Sequence, residues 1–142
     1  MNLLDTNVVS ELMRPQPDER VQRWLQAQPT ELLATTAVTV AEIGAGIAVL
    51  PAGTRQRELR ARWERLLVQG FGERLLPFDG AAARLYGELF GARRKAGRPA
   101  AAFDLQIAAI ARSRDCRVVT RNVGDFAGLG VDLVNPWSAA PA

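Results

Sequence analysis

Short apolar runs alternate with longer stretches of helical periodicity along this chain, and that alternation most narrows the folds open to it. Leu3-Leu4, the segment Glu31 to Thr36 around Leu32-Leu33-Ala34, Arg74 to Phe78, Arg117 to Thr120 and Val131 to Val134 read as strands. Between them the spacing predicts helices. One starts at Asp5 or Thr6 and runs to about Met13, where Pro15 and Pro17 stop it, and another follows an Asp18 cap with Val21, Trp24 and Leu25 on one face. Thr39-Val40-Ala41-Glu42 matches a capping box opening a helix through Ile43, Ile47 and Leu50. From Thr54 to about Gln69, Leu59, Trp63, Leu66 and Leu67 share one face and arginines fill the other. Asp79 caps a helix over Ala81 to Lys95, and Ala101 to Ser113 is a further one. Strands separated by helices pair in parallel, so the expectation is an α/β fold with a central, mostly parallel sheet covered on both faces.

The length of 142 residues suits one domain, 1–142, with a single core. No apolar run approaches the roughly 20 residues of a membrane span, and the amino terminus lacks a secretory pattern. A soluble protein is expected. The single cysteine, Cys116, allows no intrachain disulfide, which fits a reducing cytoplasm.

Absences narrow the chemistry further. With no histidine, the Ser-His-Asp and Cys-His nucleophiles are excluded, and one cysteine cannot build a thiolate zinc site. Any metal must be held by oxygen, which selects hard cations such as Mg²⁺ or Mn²⁺. The formal charge is +3, and 17 of the 18 bases are arginine. Neutralising acids with metal would widen the basic excess and favour a polyanionic partner, although arginine richness also follows from genomic base bias.

Four carboxylates stand where such a fold gathers ligands. Asp5 closes the first strand, Asp125 lies in the loop Arg121 to Phe126 after the fourth, and Glu42 and Asp104 lie in the first turns of helices. Asp104 shares a helix face with Ile107, Ala108 and Ala111, so it points inward. Parallel βα connections bring strand carboxyl ends and helix amino ends to one edge. Each acid has a plainer reading: a cap for Asp5, half a capping box for Glu42, a dipole partner for Asp104, a turn residue for Asp125. Together the plainer readings weaken, because two carboxylates about 4 Å apart repel by roughly 4 kcal/mol at an effective dielectric near 20. A cluster of four needs a cation. The basic run Arg93, Arg94, Lys95 and Arg98 is a candidate grip for phosphate, and Trp63 a candidate for packing or for a partner interface.

The opening LLDTNVVSEL, the segment TAVTVAEIGAGIAVL, FDLQIAAIA and the closing VVTRNVGDFAGLGVDLVNPW resemble PIN-domain toxins of the VapC type, in particular the FitB-like branch. The resemblance covers nearly the whole chain. It implies a three-layer α/β/α sandwich and a magnesium-dependent ribonuclease, silenced by a small antitoxin that also binds DNA at its own promoter. Relatives usually pair as dimers. The family's metal-binding acids fall on Asp5, Glu42 and Asp104. For the fourth, some relatives have an acid where this chain has Asn122, and others have asparagine there with aspartate at the Asp125 position. Many relatives also carry glutamate just before the third acid, where this chain has Phe103.

The resulting expectation is an endoribonuclease toxin in which Asp5 and Asp104 hold Mg²⁺ (Mn²⁺ as a substitute), completed by Glu42 and Asp125. Thr6, Asn7, Thr120 and Asn122 are expected to position water or substrate. Two rivals stand beside it. A phosphatase using an aspartyl nucleophile wants a second aspartate two residues after the first, where this chain has Asn7. A non-enzymatic module would use the same fold to bind RNA or protein.

Overall fold

The computed structural model describes residues 1–138; residues 139–142 of the domain expected over 1–142 lie outside the described residues. Five strands, β1 (Asn2–Leu4), β2 (Leu33–Thr36), β3 (Leu75–Leu76), β4 (Arg117–Val119) and β5 (Leu133–Val134), form one sheet in the order β3-β2-β1-β4-β5. Every pairing is parallel, so the sheet is wholly rather than mostly parallel. Leu3 sits between Ala34 and Val118 in register, which makes β1 the central strand.

The helices are α1 (Thr6–Leu12), α2 (Glu19–Gln26), α3 (Ala37–Ala48), α4 (Thr54–Arg65), α5 (Gly80–Lys95), α6 (Ala102–Ser113) and the single turn α7 (Val123–Phe126). Strand alternation sends neighbouring residues to opposite faces. Leu3, Ala34 and Val118 therefore pack with Leu89 of α5 and with Leu105, Ile107 and Ile110 of α6. Leu4 and Val119 pack the other way, against Val8 and Val9 of α1, Ile43 and Ile47 of α3, and Trp63 of α4. The result is the expected three-layer α/β/α sandwich. No helix of the described residues is long and apolar enough to cross a membrane.

Several boundaries differ from the sequence reading, each for a local reason. Thr30–Leu32 forms a 3-10 turn, so β2 begins only at Leu33. The segment Arg74 to Phe78 yields a two-residue strand, with the Arg74 guanidinium donating to the Leu33 carbonyl at the sheet edge. Helix α4 ends at Arg65 and continues as a π-type turn over Leu66–Phe71, closed by Gly72 at φ 57. Trp63 is only 4 % exposed and belongs to the core, which removes it as an interface residue. The capping box is also displaced. Helix α3 starts two residues before Thr39, and its cap is Thr36, whose hydroxyl accepts from the Thr39 amide at 3.0 Å. Glu42 thus lies in the second turn, with its side chain released from any capping duty.

The turn between α5 and α6 is a Schellman motif. Gly97, at φ 68, donates to the Arg94 carbonyl and Arg98 donates to the Arg93 carbonyl, which satisfies the last carbonyls of α5 and reverses the chain. Helix α6 then returns antiparallel and brings Asp104 to the carboxyl edge of the sheet.

Candidate functional site

In an open parallel sheet, the loops after the central strands diverge where the strand order reverses, and a crevice opens there. Here β1 leads to β2 and β3 on one side while β4 and β5 lie on the other, so the crevice falls between the ends of β1 and β4. Asp5 follows β1 directly, and its amide donates to the Val119 carbonyl of β4 at 2.9 Å.

The Asp5 side chain is buried, 4 % exposed, and held on both oxygens. Oδ1 accepts from the Thr6 amide at 2.8 Å, the α1 cap, while Oδ2 accepts from the Thr120 hydroxyl at 2.8 Å and the Asn7 amide at 3.2 Å. Burial pushes its pKa upward against the lowering effect of these donors, and the charge of Asp125 adds to the rise. The Thr120 hydroxyl is a junction, because it also accepts from the Asn122 amide at 3.0 Å. Asn7 completes the tie by accepting from the Arg121 amide at 3.2 Å.

Glu42 is fixed from the opposite side of the crevice. Its Oε1 accepts from the Thr6 hydroxyl at 2.8 Å, and Thr6 Oγ1 lies 3.1 Å from Thr39 Oγ1, which in turn lies 3.4 Å from Thr36 Oγ1. With Thr6 donating to the carboxylate, the ordered chain runs Thr36 to Thr39 to Thr6 to Glu42, one proton per link. Thr36 and Thr39 were not site candidates in the sequence. Two threonines near a helix start carry no signal of being linked to a carboxylate of the same helix through a hydroxyl of another, Thr6 of α1.

Asp104 occupies the first turn of α6, half-buried, with no hydrogen bond to its carboxylate among the described residues. Its pKa is raised to about 6, first by burial and then by the charges of Asp5, Asp125 and Glu42. Asp104 thus feels the charges of the other three nominated acids, and Asp5 that of Asp125. Among the described residues no three of them are placed to ligate one ion directly. The oxygen-only donor set and the mutual repulsion still fit a hard cation held partly through water, the usual arrangement for Mg²⁺.

The loop after β4 differs from expectation in containing α7. Its N-cap, Asn122, is exposed and makes no capping bond with its side chain; its amide donates to the Thr120 hydroxyl and its carbonyl accepts from the Asp125 amide at 3.0 Å. Asp125 is exposed on the same turn and joins Asp104, Arg93 and Arg98 in lining a pocket of about 350 Å³. The charge belongs to Asp125. Asp125→Asn should therefore weaken any divalent-ion dependence by roughly 10 to 100-fold, rescued by excess metal, with Asn122→Ala the smaller defect. Metal titrations of the two variants check this; a larger, rescuable defect in Asn122→Ala reverses the assignment.

The basic run divides on folding. Arg93 is buried and bonded to backbone, Arg94 lies over the Phe90 ring at 5.8 Å, and Arg98 stands at the pocket with Asp104. On the Glu42 side a larger groove of about 680 Å³ has apolar walls from Met13, Ile43, Ile47 and Leu59, with Arg14, Arg55, Glu58 and Arg62 also lining it.

Acids drawn from two βα loops and two helices, gathered at the switch point of a parallel sheet, define the architecture, and the sequence agrees with it. Residues 3–129 match the PIN domain family, and the chain belongs to that family. It is 41% identical over 137 residues to the toxin FitB of Neisseria gonorrhoeae, covering 96% of this chain and 99% of that one. It is 39% identical over 140 residues to the VapC ribonuclease Y4jK of Sinorhizobium fredii, covering 99% and 100%. The solved structure of FitAB bound to a DNA fragment superposes with a TM-score of 0.91 at 40% identity, covering 99% of this chain and 98% of that chain.

Proposed function

We propose that this protein is a magnesium-dependent endoribonuclease and the toxin of a toxin–antitoxin pair. The observation that carries the reading is the placement of Asp5, Glu42, Asp104 and Asp125 around the switch point of a PIN domain, with the charges of the other three raising Asp104. A ribonuclease name on one relative and a toxin name on another support the substrate and the biological role.

In this reading Asp5 and Asp104 hold Mg²⁺ or Mn²⁺, with Glu42 and Asp125 completing the site directly or through water. A bound divalent ion supplies Lewis acidity toward a phosphoryl oxygen and lowers the pKa of a water for in-line attack. The protein's own groups do the rest. Thr6 and Thr120 hold Glu42 and Asp5 as hydrogen-bond acceptors, so their carboxylates are oriented before substrate arrives. Arg98, at the mouth of the Asp104 pocket, offers a planar guanidinium to a phosphate of the strand. A phosphatase with an aspartyl nucleophile fits less well, because Asn7 supplies a donor to Asp5 rather than a second carboxylate.

The apolar groove beside Glu42 is the place proposed for the antitoxin, taken as an amphipathic segment with its apolar side inward. The FitAB complex with DNA supports a DNA-binding partner of this kind. Pairing of two copies is part of the same reading, and the partly exposed row Phe78, Tyr86 and Phe90 offers an apolar surface for it.

Incubation with RNA tests the enzyme: cleavage should stop with a chelator and return with Mg²⁺. Cleavage indifferent to chelation removes the metal, and binding without any cleavage favours the non-enzymatic module. Co-expression with the adjacent reading frame should yield a stable, inactive complex. Recovery of the toxin alone and active sinks the antitoxin assignment.

A further inference from the structure

Arg93 is the one basic residue buried among the described residues, at 9 % exposure. Its Nη2 donates to the backbone carbonyls of Asp125 and Ala127, both at 2.9 Å and from 32 and 34 residues away. These carbonyls lie at the carboxyl end of α7, where a helix leaves acceptors unpaired and carries partial negative charge. A guanidinium there closes the end of the turn from outside it.

α7 needs such closure. Four residues form too few internal hydrogen bonds to hold a helical turn, and its N-cap side chain contributes none. Thr120 ties the Asn122 amide at one end, and Phe126 is buried in the core. Of the ties in the described residues, only that from Arg93 engages the backbone of Asp125 through a side chain. Arg93 is itself anchored, since its carbonyl accepts from Arg98 in the turn that ends α5. Its Nε is buried without a hydrogen-bond partner, an arrangement that packing alone does not favour. Arg93 also lines the pocket shared by Asp104 and Asp125.

We propose that Arg93 is a positioning residue: by clamping the α7 carbonyls it holds the Asp125 carboxylate at the pocket it shares with Asp104, and so sets the affinity of the acidic crevice for a divalent cation. Its guanidinium acts through the α7 backbone, to which it is bonded. The inference rests on the metal-dependent reading above and adds a residue that the acids alone do not reveal.

The test uses the purified full chain as wild type, Arg93→Gln, Arg93→Met, Asp125→Asn and the double variant Arg93→Gln/Asp125→Asn. Gln keeps a donor but is too short to reach both carbonyls, and Met, of the same length as Gln, carries no donor at all. Mg²⁺ and Mn²⁺ are titrated against melting temperature, and Mg²⁺ against RNA cleavage. A merely structural arginine would lower the metal-free melting temperature and leave the metal midpoint unmoved. The expected result is a midpoint raised about 10-fold in both readouts, cleavage restored at saturating Mg²⁺, and a double variant no worse than Asp125→Asn alone. If Arg93→Met does not fold, Arg93→Gln carries the comparison. A wild-type midpoint in the folded variant, or a double variant whose defect is the product of the two singles, overturns the proposal while leaving the nuclease reading intact. A wild type indifferent to divalent cations in both readouts overturns both.

Discussion

Asp104→Asn should abolish RNA cleavage while raising the melting temperature of the metal-free protein. The loss is expected to exceed about 100-fold, beyond the range of outer-shell defects, because the substitution removes a charge proposed to face the cation itself. The gain in stability comes from the same crowding. The Asp104 carboxyl titrates near 6, above its ordinary value, through burial and the charges of Asp5, Asp125 and Glu42. A folded pKa above the unfolded one means that the folded state binds more protons between roughly pH 4 and 6. Stability of the metal-free protein therefore falls as pH rises through that window, and the full penalty is present at neutral pH. Asparagine, nearly the same shape without the charge, removes the penalty and flattens the pH profile. Asp5→Asn should share the loss of activity and not the gain. Its two oxygens accept from Thr6, Thr120 and Asn7, and an amide nitrogen in place of either oxygen would face a donor, a mismatch of about 1 to 3 kcal/mol. Parental cleavage rates in both variants under the same Mg²⁺ would remove these residues from the site, and a lower metal-free melting temperature for Asp104→Asn would contradict the crowding.

The second large effect expected is stabilisation by divalent cations. A ligand at 100 times its dissociation constant stabilises the folded state by roughly 2.7 kcal/mol, on the order of 5 to 10 °C in melting temperature for a domain of this size. Sodium chloride at matched ionic strength should not reproduce it, since screening weakens exposed pairs without filling the crevice. The pH dependence has a definite sign. Below about 6 a cation must displace the proton on Asp104, so the apparent affinity drops by up to about tenfold per pH unit and the melting shift shrinks with it. Above that value the shift should level off. Melting curves with and without Mg²⁺ at pH 5, 6 and 7.5 check this, and a shift that does not change across them would exclude Asp104 from the response.

What this chain's sequence determined is what local pattern can encode. Alternating apolar runs and helical periodicities specified parallel strands with covering helices, and Leu3-Leu4 before Asp5 marked a strand and its carboxyl end, which the sheet order then made central. Asp18 and Asp79 cap α2 and α5 as read, because a cap is a matter of two or three neighbouring residues. The motif-bearing segments also carried the family. The tertiary structure decided the rest, because it depends on contacts between distant residues. Thr120 reaches Asp5 across 115 residues and Thr6 reaches Glu42 across 36, so hydroxyls read as groups for water or phosphate also hold carboxylates. Trp63, read as packing with a partner interface as the alternative, is settled as core where α4 packs against α3. Arg93 reads as one of a run of bases fit to grip phosphate or to lie solvated at a helix end, yet its guanidinium is bonded to the carbonyls at the end of α7. Periodicity tells which face of a helix is buried; what a polar group meets there is settled only when the sheet order brings another segment to it.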